Sequence, residues 1–245
     1  MGNYIILGVI QGIFEWLPIS SQGIVAIASL FLVEYFKPID IALFIHLGTV
    51  FATLIYFRRE WQRVLLLKDL ELLRFLVIAT MVSGIIGLPL YYFIRNMAVG
   101  SSLLVITGIG LLFTAYFQKK GQKLALGSNK LGVVVGLLQG FSVIPGFSRS
   151  GATIFGLSLG KSDPTEILKT SYMLSVPTTL IMTFYLFLKT PNLVFQAWPS
   201  LVSSFLVGII TLSFLIKFSK KIDFFKFAII FAIICFVGAG IGLLF

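Results

Sequence analysis

Two residues stand out because of where they lie. Of the nine acidic residues, Glu34, Asp40, Glu60, Asp69, Glu71, Asp163, Glu166 and Asp223 fall in or beside loops, which leaves Glu15 as the one carboxylate within an apolar stretch. Arg149 is its guanidinium counterpart. A charge at membrane depth costs at least about 2.5–3.5 kcal/mol on insertion scales, so each is a functional candidate unless the two merely form a structural ion pair. Each also sits in one of two matching segments, residues 8–23 (GVIQGIFEWLPISSQG) and 136–151 (GLLQGFSVIPGFSRSG). At that single offset Gly8, Gln11, Gly12, Ser20 and Gly23 fall on Gly136, Gln139, Gly140, Ser148 and Gly151.

Around the pair stand hydroxyls and glycines: Ser20, Ser21, Ser148, Ser150 and Thr153 with Gly23, Gly146 and Gly151. Any one of them is ordinary helix N-cap chemistry. Two such loops face to face make an anion site, because each half-helix that follows would aim the positive end of its dipole at the membrane interior. Arg149 adds a planar fork suited to phosphate. A carboxylate in such company can hold a divalent cation that bridges to phosphate oxygens, or accept a proton from an attacking serine or water. Phosphate groups at membrane depth suit a substrate whose other end is a lipid tail.

The elements that must position these residues are helices in lipid. Hydrophobic residues make up 58% of the 245 and charged residues 11%, far from a soluble mixture. The mean hydropathy of +1.04 agrees with that reading. Six stretches, about 41–57, 75–94, 101–117, 170–188, 200–216 and 227–245, are long enough to cross a hydrocarbon core of about 30 Å. The motif regions, residues 3–33 and 131–160, are apolar pieces too short to cross, each pair reading as a re-entrant hairpin. The expectation is an all-α polytopic membrane protein with two inverted repeats, residues 1–118 and 131–245. Each repeat is a hairpin plus three crossings, and an odd number of crossings inverts the second half.

Loop charge supports this topology. It puts Arg58, Arg59, Arg63, Lys68, Arg74, Lys119, Lys120, Lys123, Lys130, Lys161, Lys169, Lys217, Lys220, Lys221 and Lys226 on one side. Only Lys37, Arg95 and Lys189 fall on the other, so the multi-pass chain is expected in the cell membrane with both termini outside. Residues 58–74 read as an interfacial amphipathic segment. The net charge of +10 is thereby a topology signal, and no nucleic-acid motif accompanies it. No cleavable signal segment is evident at the N-terminus. Cys235, the single cysteine, reads as packing.

The two loops closely resemble the signature motifs of the undecaprenyl-diphosphate phosphatase, or bacitracin-resistance protein, family, and the likeness runs along the whole chain. The resemblance implies hydrolysis of a long-chain polyprenyl diphosphate to the monophosphate, with Mg²⁺ or Ca²⁺, to recycle a lipid carrier. It makes Glu15 the catalytic and metal-associated glutamate, Ser20 and Ser21 the paired serines, Arg149 the diphosphate-binding arginine, and Ser148 and Thr153 phosphate-contacting hydroxyls. Ser150, Gly151 and Gln11 complete the substrate-binding candidates. The expected partners are the polyprenyl diphosphate lipid, the membrane and, as an option, a second copy in a homodimer.

Two positions depart from the family pattern. Gln11 stands where many members carry a further glutamate, and Ile24 stands where the motif usually has histidine. The only histidine, His46, is then either a stand-in base or a packed residue of the first full span. A transporter or flippase for an anionic lipid is the second functional reading, since broken helices facing an anion are also a transporter's architecture.

Overall fold

The computed structural model describes residues 1–17, 19–97, 100–119, 127–160, 163–218 and 224–244, and the described residues form helices and their connections. Pro18 of the first motif and Lys120, Lys123, Lys161, Lys220 and Lys221 of the charge argument lie outside them. The helices are α1 (Gly2–Phe14), α2 (Ser21–Leu32), α3 (Pro38–Tyr56), α4 (Arg58–Leu65), α5 (Leu70–Met97), α6 (Gly100–Lys119), α7 (Ser128–Phe141), α8 (Arg149–Ser158), α9 (Pro164–Lys189), α10 (Pro191–Phe218) and α11 (Phe224–Leu244).

Both matching segments break into helical hairpins. The four pieces α1, α2, α7 and α8 have 13, 12, 14 and 10 residues, about 15–21 Å at 1.5 Å per residue, so none reaches across a bilayer core. The same chemistry starts the second helix of each: Ser20 Oγ accepts the Gly23 N–H and Ser148 Oγ accepts the Gly151 N–H. By contrast α3, α5, α9 and α10 are long and apolar enough to cross. The 20 residues of α6 and 21 of α11 supply comparable length, and the two lie along one another. The chain is an all-α, multi-pass membrane protein.

The long helices outrun the expected spans. α5 and α10 each have 28 residues, and α9 and α10 run on through Pro177 and Pro199. Lipid explains this, because a backbone group released from a helix in hydrocarbon has no water to bond. Between α3 and α5, α4 lies with Trp61 and Val64 against the core while Leu65, Leu66 and Leu67 are exposed, as an interfacial segment would be. Asp40, read as in or beside a loop, sits buried in the first turn of α3. There it accepts the Tyr91 hydroxyl at 2.7 Å and Arg95 Nε at 2.8 and 2.9 Å, which ties α3 to the far end of α5.

Glycines decide how the hairpins seat. α1 packs along α10 and α7 packs along α5. A Cβ on Gly12 would lie 2.8 Å from Gly208 N, and one on Gly140 would lie 2.7 Å from Ile86 Cβ. Gly8 and Gly136 one turn earlier make equally close approaches, to Ser200 and Ala79. Each hairpin thus presents a Gly-xxx-Gly stripe to a full span of the other half, the close-contact packing that membranes favour. At the second hairpin tip Gly146 has φ +91°, and a Cβ there would collide with the Thr107 carbonyl of α6.

Gly12→Leu is expected to destabilise the protein by about 1–3 kcal/mol, the usual cost of overpacking a tight contact. Gly240→Ala, where a Cβ meets nothing within 4 Å, is expected to leave stability unchanged. Thermal unfolding in detergent checks the contrast.

Candidate active site

The hairpin tips meet. Gly146 N–H donates to Ser20 Oγ at 3.0 Å, Ser150 Oγ donates to the Leu17 carbonyl at 2.9 Å, and Gln22 Nε2 donates to the Val143 carbonyl at 3.0 Å. Ser20 therefore receives one N–H from its own helix and one from the opposite loop. It holds a left-handed backbone, φ 62° and ψ 74°, which is uncommon for serine. Such strain persists where the surroundings over-determine it, and two backbone donors on one hydroxyl do so here.

Glu15 lies at the junction, closing the C-terminal end of α1 and 3% exposed. One oxygen, Oε1, pairs with Arg149 Nη2 at the start of α8. The other, Oε2, accepts Gln11 Nε2 at 2.6 Å and the Ser21 hydroxyl at 2.7 Å. His46 Nε2 lies 3.1 Å from the same oxygen and 3.5 Å from Ser21 Oγ. The far side of that imidazole fixes its tautomer: Nδ1 is 2.6 Å from the Ala42 carbonyl, which only accepts, so Nδ1 carries a hydrogen. Nε2 is then the acceptor side of the ring, turned toward the Ser21 hydroxyl and Glu15 Oε2.

These groups open into one cavity, lined among others by Glu15, Ser20, Ser21, His46 and Arg149 with Ser148 and Ser150. Both α2 and α8 begin at this cavity, and Arg149 Nη1 within it is buried with no hydrogen-bond partner. The arrangement can bind an anion, activate a hydroxyl and store a proton.

The other candidates stand around the cavity rather than on its wall. Gln11 touches Glu15 from one turn back on α1. Gly151 spends its N–H on the Ser148 cap, and Thr153 Oγ1 lies 2.6 Å from Ser171 Oγ and donates to the Arg149 carbonyl. Trp16 is packed: its indole donates to the Gly208 carbonyl at 3.0 Å, and Tyr172 donates to the Trp16 carbonyl at 2.9 Å. His46 lies about two turns into α3. Gln139 and Thr80 also line the cavity and were not anticipated. The available signal for Gln139 was its alignment with Gln11 in the matching segments; for Thr80 there was none.

The family model described as "Bacitracin resistance protein BacA" matches residues 4–238. An undecaprenyl-diphosphatase of Methanococcoides burtonii is 34% identical over 254 residues, covering 94% of each chain. One of Methanothrix thermoacetophila is 34% identical, covering 92% of this chain and 91% of its own. One of Haloarcula marismortui is 31% identical, covering 97% and 94%.

Removing one member of the Glu15–Arg149 pair strands the other charge. Arg149→Met is expected to destabilise the protein by about 3–5 kcal/mol, and adding Glu15→Gln is expected to recover much of that loss. A double-mutant cycle on thermal unfolding in detergent measures it.

Proposed function

The chain belongs to the bacitracin resistance protein BacA family, and on that premise we propose that it hydrolyses a long-chain polyprenyl diphosphate, undecaprenyl diphosphate or a similar lipid, to the monophosphate and inorganic phosphate, recycling a lipid carrier. The observation that carries this reading is the Ser21 hydroxyl 2.7 Å from Glu15 Oε2, within a membrane-embedded cavity that also holds Arg149 and His46.

Ser21 presents its oxygen to the terminal phosphorus while Arg149 holds the phosphate. As the O–P bond forms, the hydroxyl proton passes to Glu15, the acceptor it already touches, with His46 Nε2 sharing the load. The bond from phosphorus to the bridging oxygen breaks, and the lipid leaves as the monophosphate anion. Water then attacks the seryl phosphate and gives a proton to the same pair. Inorganic phosphate departs, Ser21 regains one hydrogen from the pair, and the pair gives up the other with the departing phosphate, which returns Glu15 to a carboxylate. Ser20 is a positioning residue, since both N–H groups on its oxygen hold the loops that aim Ser21.

A divalent cation fits this site as a companion of the substrate. Glu15 on the cavity wall is the hard oxygen donor that would hold Mg²⁺ or Ca²⁺, with substrate phosphates and water filling the rest of its shell, while Gln11 behind it orients the carboxylate through Nε2. When bound, it would offset the negative charge of the diphosphate. Among the described residues no three His, Cys, Asp or Glu side chains converge, which suits an ion that arrives with the phosphates over one caged by protein alone.

We place the chain in the cell membrane with both termini outside, because the loop lysines and arginines then lie overwhelmingly on the cytoplasmic face. A C-terminal tag cleaved by protease added to intact cells is the expected result, and its protection overturns the orientation.

Purified protein given a polyprenyl diphosphate and Mg²⁺ is expected to release inorganic phosphate. Glu15→Ala, Ser21→Ala and Arg149→Ala should each slow the release by about 10²–10³-fold or more. His46→Ala should lower turnover and change the pH profile of kcat, the titratable and charged groups facing that imidazole being Glu15 and, across it, Arg149. No release with any of several lipids and metals, alongside lipid movement in vesicles, overturns the enzyme in favour of a transporter.

A further inference from the structure

The cavity carries polar groups that the step at Ser21 leaves unused. Besides Arg149 Nη1, Gln139 is 4% exposed with neither its Oε1 nor its Nε2 partnered, and Thr80 is 9% exposed with Oγ1 unpartnered; all three side chains line the cavity. Burying an unbonded amide is costly, and a membrane interior offers no water to relieve it.

Neither residue behaves like its neighbours. Hydroxyls on these helices usually bond back to their own helix: Thr49, Thr53, Ser83, Ser175 and Thr178 all donate to a carbonyl three or four residues earlier. Thr80 Oγ1 does not. Thr107 and Thr183 share that lack, but neither lines the cavity. The matching segments explain Gln139. Gln11 bonds Glu15 four residues on, whereas the residue four beyond Gln139 is Val143, so the same amide has no carboxylate to hold and is left for a ligand.

We propose that Gln139 on α7, Thr80 on α5 and Arg149 Nη1 form a second phosphate subsite, which takes the phosphate that stays attached to the lipid while the terminal phosphate lies at Ser21. The assignment rests on the phosphatase reading and adds the orientation of the substrate. Apolar lining residues set the direction. Leu88 on α5 and Ile181 on α9 line the same cavity yet are 36% and 53% exposed, and a Cβ on Gly84, a lining residue one turn before Leu88, meets nothing within 4 Å. The cavity is therefore open to lipid between α5 and α9, on the wall that carries Thr80. A tail leaving there places its own phosphate beside Thr80 and Gln139. Their N–H and O–H donors then face the negative charge that grows on the departing phosphate as the bridging bond breaks.

The test compares Gln139→Leu and Thr80→Val with wild type and with Thr183→Val, using farnesyl diphosphate as substrate and farnesyl monophosphate and inorganic phosphate as competitors. Gln139→Leu is expected to raise KM for the diphosphate and the inhibition constant of the monophosphate lipid about tenfold or more, with a smaller rise for Thr80→Val. Inhibition by inorganic phosphate, which needs only the terminal site, should stay unchanged, as should every constant of Thr183→Val. The thermal midpoint of Gln139→Leu should hold or rise, because an unsatisfied buried amide has been removed. Unaltered lipid-phosphate constants in an active, folded Gln139→Leu protein overturn the subsite, as does a large loss of stability, which would reveal a packing role. Absence of phosphate release from wild type would instead sink the phosphatase reading. Direct binding of farnesyl monophosphate to wild type and Gln139→Leu then still decides the subsite: tenfold weaker binding to the variant supports it, and equal binding overturns it.

Discussion

A carboxylate in hydrocarbon cannot stand alone, and the structure is organised around how Glu15 is satisfied. Each of its oxygens meets donors from different parts of the chain: Arg149 from the second hairpin on one, and Gln11 and Ser21 from the first hairpin, with His46 of α3, on the other. Those segments lie up to 134 residues apart in sequence, so burying this one charge brings both broken helices and a full span to a single point. A buried ion pair is a poor source of net stability, because desolvation offsets most of its attraction. Its consequence here is registry. Only one meeting of the two tips leaves no stranded charge, and that meeting creates the cavity.

The glycine stripes make the encounter possible. The hairpin helices must approach α10 and α5 closely enough for their tips to reach each other, and Gly8 and Gly12 in one half and Gly136 and Gly140 in the other remove the side chains that would hold them off. This gives the matching segments a physical content. The shared glycines are packing surfaces, the shared Ser20 and Ser148 are helix caps, and the unshared Glu15 and Arg149 carry the opposite charges. The glycines and caps that the halves share build the frame, and the opposed charges of Glu15 and Arg149 join the two tips.

Much of this was legible because the bilayer restricts what a chain can do. Helix breaks, apolar lengths and isolated charges each have a large energetic meaning in lipid, so Glu15, Arg149 and the serine loops could be singled out directly. Helix ends were less visible: α5 and α10 continue past the apolar windows because leaving a helix costs more than carrying polar residues to the interface. His46 was a harder case. A lone histidine in a span has the same local pattern whether it packs or reacts, and only the way α3 folds against α1 and α2 brings its Nε2 to Glu15. Thr80 had no local mark, since its significance lies in a hydrogen bond it fails to make.

That failure has a wider meaning. In a soluble protein an unpaired buried amide is readily met by a water molecule, whereas within a membrane the alternatives are a protein partner, a ligand or a standing cost. Most buried hydroxyls here take the first route through their own helix backbone. The exceptions on the cavity wall are Gln139, Thr80 and one arm of Arg149, which line the same space without protein partners. Their desolvation is offset when a negatively charged group meets them. A phosphate-bearing head group would satisfy all three at once, while its lipid tail left through the apolar opening between α5 and α9.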